Sequence, residues 1–307
     1  MELTNPSAVR ELLDRYGLAP KKGFGQNFLI NASVPVRIAE ASRELAPADR
    51  PAAVLEIGPG IGALTRELSD AYDRVAAVEI DRGLIPLLAE TLSDCENVTV
   101  VEADFMKLDL PAFLEERFGD LVRAGGTVSV CANLPYYITS PVLMKLLESF
   151  PGEVPVPFAS IVVMIQLEVA RRLAAEAGDP DYGAITASVA LRCRVDKLMD
   201  VGPGNFHPAP KVSSAVIGLI PHGGIRELYP DAPRDDGECR AFAERVSELI
   251  ALAFGQRRKT LTNALSGRYP KEKTAAALEA CGMRTDIRGE RLGAADFCRL
   301  ADALGRV

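Results

Sequence analysis

The sequence predicts an α/β fold with a parallel sheet, followed by a small all-helical domain. Up to residue 220, short apolar runs alternate with helical stretches, a pattern typical of parallel strands connected by helices. Beyond residue 241 the apolar pattern is purely helical. The predicted strands are 53–57, 75–79, 98–101, 127–131, 160–165, 185–194 and 213–220. We expect the last two to close the sheet as a hairpin-like pair.

Helices are predicted before and between these strands. Ser140 followed by Pro141 indicates a helix start, since Ser is a good N-cap and Pro loses no hydrogen bond at the first helical position. Residues 221–240 are rich in Pro, Gly and Asp and predict a linker. The predicted domains are therefore 1–220, the linker 221–240 and the helical domain 241–307. The predicted helices of the first domain cover 5–17, 33–45, a stretch after Gly62 to about Ala71, 83–93, 141–149 and 166–176.

The composition indicates a soluble, cytoplasmic globular protein. The 307 residues are 48% apolar and 25% charged, with a formal charge of -7. No apolar run reaches the ~18 residues of a membrane span, and the first twenty residues lack the continuous apolar core of a signal peptide. The six cysteines are scattered without C-x-x-C spacing, so we expect free thiols and no metal. No apolar stripe demands a partner chain, so a monomer is expected.

The charge is unevenly distributed along the chain. Residues 245–273 contain seven basic and two acidic residues, a formal charge of +5 within an acidic protein. The run Arg257-Arg258-Lys259 lies in this segment, and Lys21-Lys22 forms a smaller basic pair near the N-terminus. Such runs are usually solvated helix faces, but a local basic patch can also bind phosphates. The charges alone leave both interpretations open.

A glycine loop follows the first predicted strand. It has the sequence Glu56-Ile57-Gly58-Pro59-Gly60-Ile61-Gly62, and Glu79 ends the next strand. Glycines let the backbone turn tightly and approach a ligand, and a carboxylate placed like that of Glu79 can accept hydrogen bonds from ribose hydroxyls. After the third strand, Asp104 can accept a hydrogen bond from an adenine amine. The loop fits either NAD or S-adenosylmethionine.

The segment Asn133-Leu134-Pro135-Tyr136 after the fourth strand favours S-adenosylmethionine. The exocyclic nitrogen of adenine is a poor nucleophile because its lone pair is delocalised into the ring. The Asn133 side-chain oxygen and the Leu134 carbonyl can each accept one of its N–H groups and free the lone pair to attack a methyl group. Pro135 rigidifies the turn, and Tyr136 offers a ring on which a flipped base can stack. Aligning the reactants then needs neither histidine nor metal.

Together these motifs resemble the KsgA-type ribosomal RNA small-subunit adenine dimethyltransferases. The resemblance covers nearly the whole chain, and five ordered matches are more specific than any one. The matching segments are 25–29 (GQNFL), 56–62 (EIGPGIG), 133–136 (NLPY), 206–212 (FHPAPKV) and 254–261 (FGQRRKTL).

The resemblance implies a Rossmann-like S-adenosylmethionine methyltransferase sheet with a C-terminal RNA-binding helical domain. The implied activity is dimethylation of two adjacent adenosines near the 3′ end of small-subunit (16S) ribosomal RNA within the pre-30S particle. Asn133, Leu134, Pro135 and Tyr136 would form the catalytic pocket. Phosphate contacts would fall on Arg257, Arg258 and Lys259, with Lys21 and Lys22 as a second contact. The implied cofactor residues are Asn27, Leu29, Gly58, Gly60, Glu79, Asp104 and Asn133.

Two departures and four alternatives accompany this interpretation. Leu167 stands where the family often has lysine, and Ser213 where it often has aspartate, which leaves details of RNA contact open. An Erm-type large-subunit methyltransferase would share the first loop and the catalytic motif, but segment 254–261 and Leu134 favour the small-subunit family. Leu134 also disfavours a DNA adenine methyltransferase. An intact glycine loop argues against a non-catalytic RNA-binding factor, and an NAD dehydrogenase would not predict the Asn133 motif.

Overall fold

A computed structural model of the protein describes residues 2–20, 25–149, 157–256 and 258–306. It divides into two compact units. The first contains Met1–Ser149, Phe158–Ala170 and Asp196–Ile220, and the second contains Arg171–Val195 and Pro221–Val307. The second unit therefore includes a stretch from the middle of the chain, which differs from the predicted boundaries at 220 and 241.

Nine strands and thirteen helices occur in the described ranges. The strands are β1 Phe28–Leu29, β2 Ala52–Ile57, β3 Arg74–Glu79, β4 Val98–Glu102, β5 Thr127–Asn133, β6 Ile161–Gln166, β7 Cys193–Val201, β8 Phe206–His207 and β9 Ser214–Pro221. The helices of the first unit are α1 Pro6–Arg15, α2 Ser33–Glu44, α3 Ala63–Ala71, α4 Ile85–Thr91, α5 Leu110–Arg123 and α6 Thr139–Glu148. Those that follow are α7 Leu167–Leu173, α8 Ala184–Ala190, α9 Ile225–Leu228, α10 Asp236–Gly255, α11 Leu261–Ala264, α12 Lys271–Ala280 and α13 Ala294–Arg306.

The large sheet has the order β4-β3-β2-β5-β6-β9-β7. Strands β2 to β6 are parallel where they pair, and β9 runs antiparallel to β6. The chain moves outward from β2 to β4 and then returns to start β5 on the other side of β2. This reversal creates a crevice at the carboxyl ends of β2 and β5, the usual ligand site of open α/β sheets. The first five predicted strands are confirmed to within two residues at each end.

The prediction of a strand over 185–194 is wrong. Its first part forms helix α8, and the strand that joins the sheet is β7, which starts at Cys193. Alternating Ile185, Ala187 and Val189 imitate the period of a strand, but Ala187 and Leu191 are buried in the helical core of the second unit. Packing against α10 thus overrides the local alternation. The expected pair of strands at the edge of the sheet is present as the neighbours β9 and β7, although β7 covers Cys193–Val201 instead of 185–194.

The predicted start of α6 is also wrong. The helix begins at Thr139, and Ile138 precedes it without a side-chain cap. The Ile138 N–H donates to the Pro135 carbonyl at 3.1 Å, so the turn after β5 runs directly into the helix. Pro141 fits two positions further in than predicted, as the third helical residue, because the first four N–H groups of a helix have no intrahelical acceptor.

A two-stranded sheet joins distant parts of the first unit. In the antiparallel pair β1–β8, Phe28 is opposite His207 and Leu29 is opposite Phe206. The Ile30 N–H extends the pairing by donating to the Asn205 carbonyl at 2.8 Å. Two motifs that are far apart in the sequence, 25–29 and 206–212, are therefore physically connected.

The second unit has its own helical core. Phe242, Val246, Leu278 and Phe297 are among its fully buried side chains. Residues expected to form a linker contribute to it: α9 lies at Ile225–Leu228, α10 already begins at Asp236, and Ala232 is buried. None of the helices in the described ranges combines the length and apolar character that a membrane crossing requires.

Candidate active site

A cavity of about 310 Å³ opens at the carboxyl ends of β2, β3 and β5. It lies where the strand order reverses, as expected for a ligand site in this type of sheet. The apolar side chains Leu64 and Phe206 form part of its wall. Every residue predicted to bind the cofactor or the base also lines it: Asn27, Leu29, Gly58, Gly60, Glu79, Asp104, Asn133, Leu134, Pro135 and Tyr136.

The glycine loop has the backbone that its sequence predicts. Gly58, Gly60 and Gly62 have φ values of 72°, 61° and 90°, in the left-handed region that favours glycine. A Cβ atom built on Gly60 would lie 3.5 Å from the Phe28 ring, which shows how closely the N-terminal segment approaches the loop. Gly62 directly precedes α3, so the first amides of that helix border the cavity region.

The Glu79 carboxylate is buried at the end of β3 and ties two loops together. Its Oε2 accepts a hydrogen bond from the Gly60 N–H at 3.2 Å, and its Oε1 accepts from the Asp81 N–H at 2.8 Å. Burial raises the pKa of Glu79, and these backbone donors oppose the shift. Each carboxylate oxygen has two lone pairs, so the group can accept further hydrogen bonds from a ligand.

The N-terminal segment is attached to the same strand end. The Gln26 side-chain amide donates to Asp81 Oδ2 at 3.0 Å, and the Asn27 amide donates to the Gly25 carbonyl at 2.9 Å. Leu29 is buried in the core of the first unit while also lining the cavity. Segment 25–29 therefore forms part of the cavity wall.

Asp104 caps a short turn after β4. Its Oδ1 accepts a hydrogen bond from the Met106 N–H at 2.9 Å, and its Oδ2 lies 3.6 Å from the Lys107 ammonium. Lys145 from α6 stabilises the turn by donating to the carbonyls of Met106 and Leu108 at 2.9 and 2.6 Å. Helix α6 thus supports the Asp104 turn as well as the segment that precedes the helix.

The predicted catalytic motif forms the turn from β5 to α6. Asn133 is the last residue of β5 and is half-buried, whereas Leu134 is buried and donates its N–H to the Met164 carbonyl at 3.1 Å. A hydrogen bond of 2.8 Å joins the Tyr136 hydroxyl to the hydroxyl of Ser214 on β9. The turn is therefore fixed to β6 through Leu134 and to β9 through Tyr136.

Glu56 is a site residue whose special position sequence reasoning missed. It lies on the buried strand β2, lines the cavity, and its Oε2 has no hydrogen-bond partner in the described part of the chain. Burial raises the pKa of Glu56 to about 8, with nearby Glu79 adding to the shift. The carboxyl is therefore predominantly protonated at neutral pH. The available signal was an acidic residue in an otherwise apolar strand.

Three large apolar side chains are exposed at the cavity. Ile80 after β3, Met106 after β4 and Tyr137 after β5 are 48%, 37% and 58% exposed, and all three line it. Exposed apolar surface at a mostly apolar cavity that also contains a few polar groups is typical of a ligand-binding site. None of the three belongs to a motif that the sequence singles out.

The family follows from a comparison of this chain with known proteins. The model of the family described as ribosomal RNA adenine dimethylase matches residues 17–305. The chain belongs to this family. A 40% identical relative from Ligilactobacillus salivarius, named Ribosomal RNA small subunit methyltransferase A, aligns over 99% of this chain and 96% of its own length. A relative of the same name from Geobacillus kaustophilus is 39% identical, over 99% and 97%.

Solved structures of methyltransferases share the fold. The 23S rRNA methyltransferase ErmE superposes with a TM-score of 0.65 at 28% identity, over 91% of this chain and 100% of its own. A dimethyladenosine transferase from Plasmodium falciparum gives a TM-score of 0.66 at 26% identity, over 89% and 95%. The fold is thus the expected Rossmann-like methyltransferase sheet with a helical C-terminal region.

The structure describes two of the five predicted RNA-contacting residues. Arg258 and Lys259 are exposed after α10, where the Lys259 N–H donates to the Gln256 carbonyl at 2.8 Å. Lys21, Lys22 and Arg257 lie outside the described residues. Within the described ranges, no group of three or more His, Cys, Asp or Glu residues is arranged to hold a metal ion.

Proposed function

We propose that this protein uses S-adenosylmethionine to dimethylate the N6 amines of two adjacent adenosines near the 3′ end of small-subunit (16S) ribosomal RNA. The proposed setting is the cytoplasm, with the pre-30S particle as substrate and the protein acting as a monomer during ribosome biogenesis. One observation carries the proposal. The Asn133 turn shares a single cavity with the carboxylates of Glu79 and Asp104, so that a base and a nucleoside cofactor can meet there.

The cofactor half of the cavity has the groups that S-adenosylmethionine requires. Glu79 can accept hydrogen bonds from both ribose hydroxyls, and Asp104 can accept from the adenine amine. Ile80 is the residue after Glu79, and Met106 is two residues after Asp104. Both side chains are exposed at the cavity and offer apolar surface to the adenine ring. Gly58 and Gly60 permit close approach of the backbone. Asn27 and Leu29 would cover the cofactor from the N-terminal side.

The base half of the cavity can activate an adenine amine. When bound, the cofactor supplies an electrophilic methyl group on a sulfonium sulfur. The Asn133 side-chain oxygen and the Leu134 carbonyl would accept the two N–H groups of the amine and make its lone pair available. Tyr136 would hold the flipped base by stacking, with its ring position set by the hydrogen bond to Ser214. The residues thus act by alignment and hydrogen bonding.

RNA would be held by basic residues outside the cavity. The exposed Arg258 and Lys259, together with Arg257, are suited to phosphate contacts, and Lys21 and Lys22 would add a second contact. This charge is local, since the chain as a whole is acidic. The proposal for these five residues rests on the family resemblance and the charge pattern.

A second candidate is methylation of large-subunit RNA. The observation in its favour is the fold shared with ErmE over 91% of this chain. The identity of 28% to ErmE is lower than the 38–40% identity to relatives named for the small subunit. Small-subunit RNA therefore remains the preferred substrate.

Methyl transfer to defined adenosines tests the proposal. The protein is incubated with radiolabelled S-adenosylmethionine and either undermethylated small subunits or large subunits, and the labelled nucleotides are mapped. We expect label on two adjacent adenosines near the 3′ end of small-subunit RNA, as N6,N6-dimethyladenosine. Label only on large-subunit RNA would support the second candidate. Absence of label on both, with the folded protein still binding RNA, would indicate a binding role without catalysis.

A further inference from the structure

Tyr137 differs from its neighbour Tyr136 in the environment of its ring. Tyr136 is half-buried and hydrogen-bonded to Ser214, whereas Tyr137 is 58% exposed although it lines the same cavity. Among the described residues it is the most exposed large hydrophobic side chain. The two adjacent aromatic rings of this turn thus lie in different environments, Tyr136 inside the cavity and Tyr137 at its rim.

The Tyr137 ring is supported from one side and open on the other. A Cβ atom built on Gly25 would lie 3.6 Å from Tyr137 Cδ1 and 3.5 Å from Pro135 Cβ, so the Gly25 backbone packs beside the ring. Gly25 has a φ of 58° and no side chain, so only its backbone contacts the Tyr137 ring. The ring is therefore held in place while more than half of the side chain remains accessible.

Other exposed side chains offer apolar surface to the cofactor. Ile80 and Met106 adjoin the carboxylates of Glu79 and Asp104 at the ends of β3 and β4, where the nucleoside would lie. Tyr137 follows β5, directly after the residues proposed to bind the target base. Its place in the chain associates it with the RNA side of the cavity.

We infer that Tyr137 is a second stacking surface, which binds the nucleobase adjacent to the flipped adenine. The inference rests on the proposed function, in which the substrate contains two adjacent adenosines. Flipping one of them removes a stacking partner from the other, which is energetically unfavourable. An exposed aromatic ring at the cavity rim replaces the missing partner, as aromatic platforms do in proteins that bind single-stranded nucleic acids. When the two adenosines exchange places, the same ring can receive the one already methylated.

Steady-state kinetics with undermethylated small subunits test this inference. Y137F keeps the ring, Y137L keeps apolar bulk without the ring, and V122A removes a 48% exposed side chain from α5 that does not line the cavity. We expect Y137L to raise KM for the RNA roughly 5- to 140-fold, the range given by removal of one base–aromatic stack. Because stacking holds ground state and transition state alike, kcat should change little. Y137F and V122A should match the parent protein.

The outcomes that would overturn the inference are distinguishable. If the parent protein does not methylate small subunits, the proposed function is wrong, and this inference is overturned with it. If the parent protein is active and Y137L retains its KM, the stacking role is overturned. A Y137L effect that appears equally in S-adenosylmethionine affinity, measured by titration without RNA, would also overturn it, since Tyr137 would then act through the cofactor half of the cavity.

Discussion

The hydroxyl oxygens of Tyr136 and Ser214 lie 2.8 Å apart and connect the turn after β5 to β9 across the sheet. Ser214 is fully buried, whereas the Tyr136 ring lines the cavity. The bond therefore couples the position of a proposed base-stacking ring to a strand whose residues do not line the cavity. Neither residue type alone would suggest this connection from the sequence.

Removing either hydroxyl should slow methyl transfer by a similar factor. Y136F and S214A each remove one hydrogen bond of about 0.5–1.5 kcal/mol, so we expect kcat to fall roughly 2- to 10-fold. The double variant should be no slower than the slower single variant, because both changes remove the same bond. S213A, which alters the adjacent residue on the chain, serves as the control and should retain activity. Additive effects in the double variant would show that the bond is not the common cause.

Asn133→Ala should abolish methyl transfer while the protein still folds and binds RNA. Removal of one preorganised polar group that acts in the transition state typically costs at least ~10²-fold in rate. Single-turnover methylation of small subunits measures the effect, and circular dichroism with RNA binding provides the control. Turnover near that of the parent protein would exclude activation of the amine by the Asn133 side chain.

Glu56 should make the free energy of unfolding depend on pH. Its pKa is raised to about 8 in the folded protein, from 4.5 for a free side chain, because the charged form is desolvated. The folded protein thus retains a proton that the unfolded chain releases above pH 4.5. Stability from this group is present below pH 4.5 and is lost as the pH rises towards 8. Relative to E56Q, the parent protein should lose stability over this window in urea unfolding. Parallel pH profiles of the two proteins would contradict the assignment.

Glycine at position 62 should be required for stability. Gly62 has a φ of 90°, and a Cβ atom there would lie 3.1 Å from both Thr91 Oγ1 and Leu92 Cδ2. Left-handed backbone costs a residue with a side chain about 1–2 kcal/mol before any steric conflict is added. We expect G62A to lower the free energy of unfolding by at least this amount. G204A is a matched control, since a Cβ atom built on Gly204 would meet no atom within 4 Å and Gly204 has no left-handed φ. Its free energy of unfolding should change by no more than about 0.5 kcal/mol.

Charge reversal in the basic run should weaken RNA binding and its dependence on salt. For Arg257→Glu and Arg258→Glu, we expect the slope of log K against log salt to fall by about one for each phosphate that the protein no longer neutralises. Arg50→Glu changes the net charge equally at an exposed residue of the first unit and is the control. If R50E weakens binding as much as the other two variants, overall charge and not a local interaction is responsible.

The local sequence pattern was sufficient to predict the sheet and the cavity, but not the features that depend on contacts between distant parts of the chain. The strand before Gly58 and the strand before Asn133 are apolar, short and bounded by turn residues, so their sequences specify them. The strand prediction for residues 185–194 is wrong because Ala187 and Leu191 face a helical core, and most residues of that core come much later in the chain. The position of Ser214 next to Tyr136 and the isolation of the Glu56 carboxyl depend in the same way on how strands are arranged side by side.

The pairing of β1 with β8 has a consequence for synthesis of the chain. Asn31 donates a hydrogen bond to Asn205, a residue 174 positions later, and β1 can pair only when His207 is available. On the ribosome, strands β2 to β6 emerge well before that point, so the parallel sheet can assemble while one wall of the cavity is still missing. A nascent chain therefore cannot present a complete cavity until its strand β8 has left the exit tunnel. The protein therefore becomes competent for catalysis only after residues up to His207 have been synthesised and have left the tunnel.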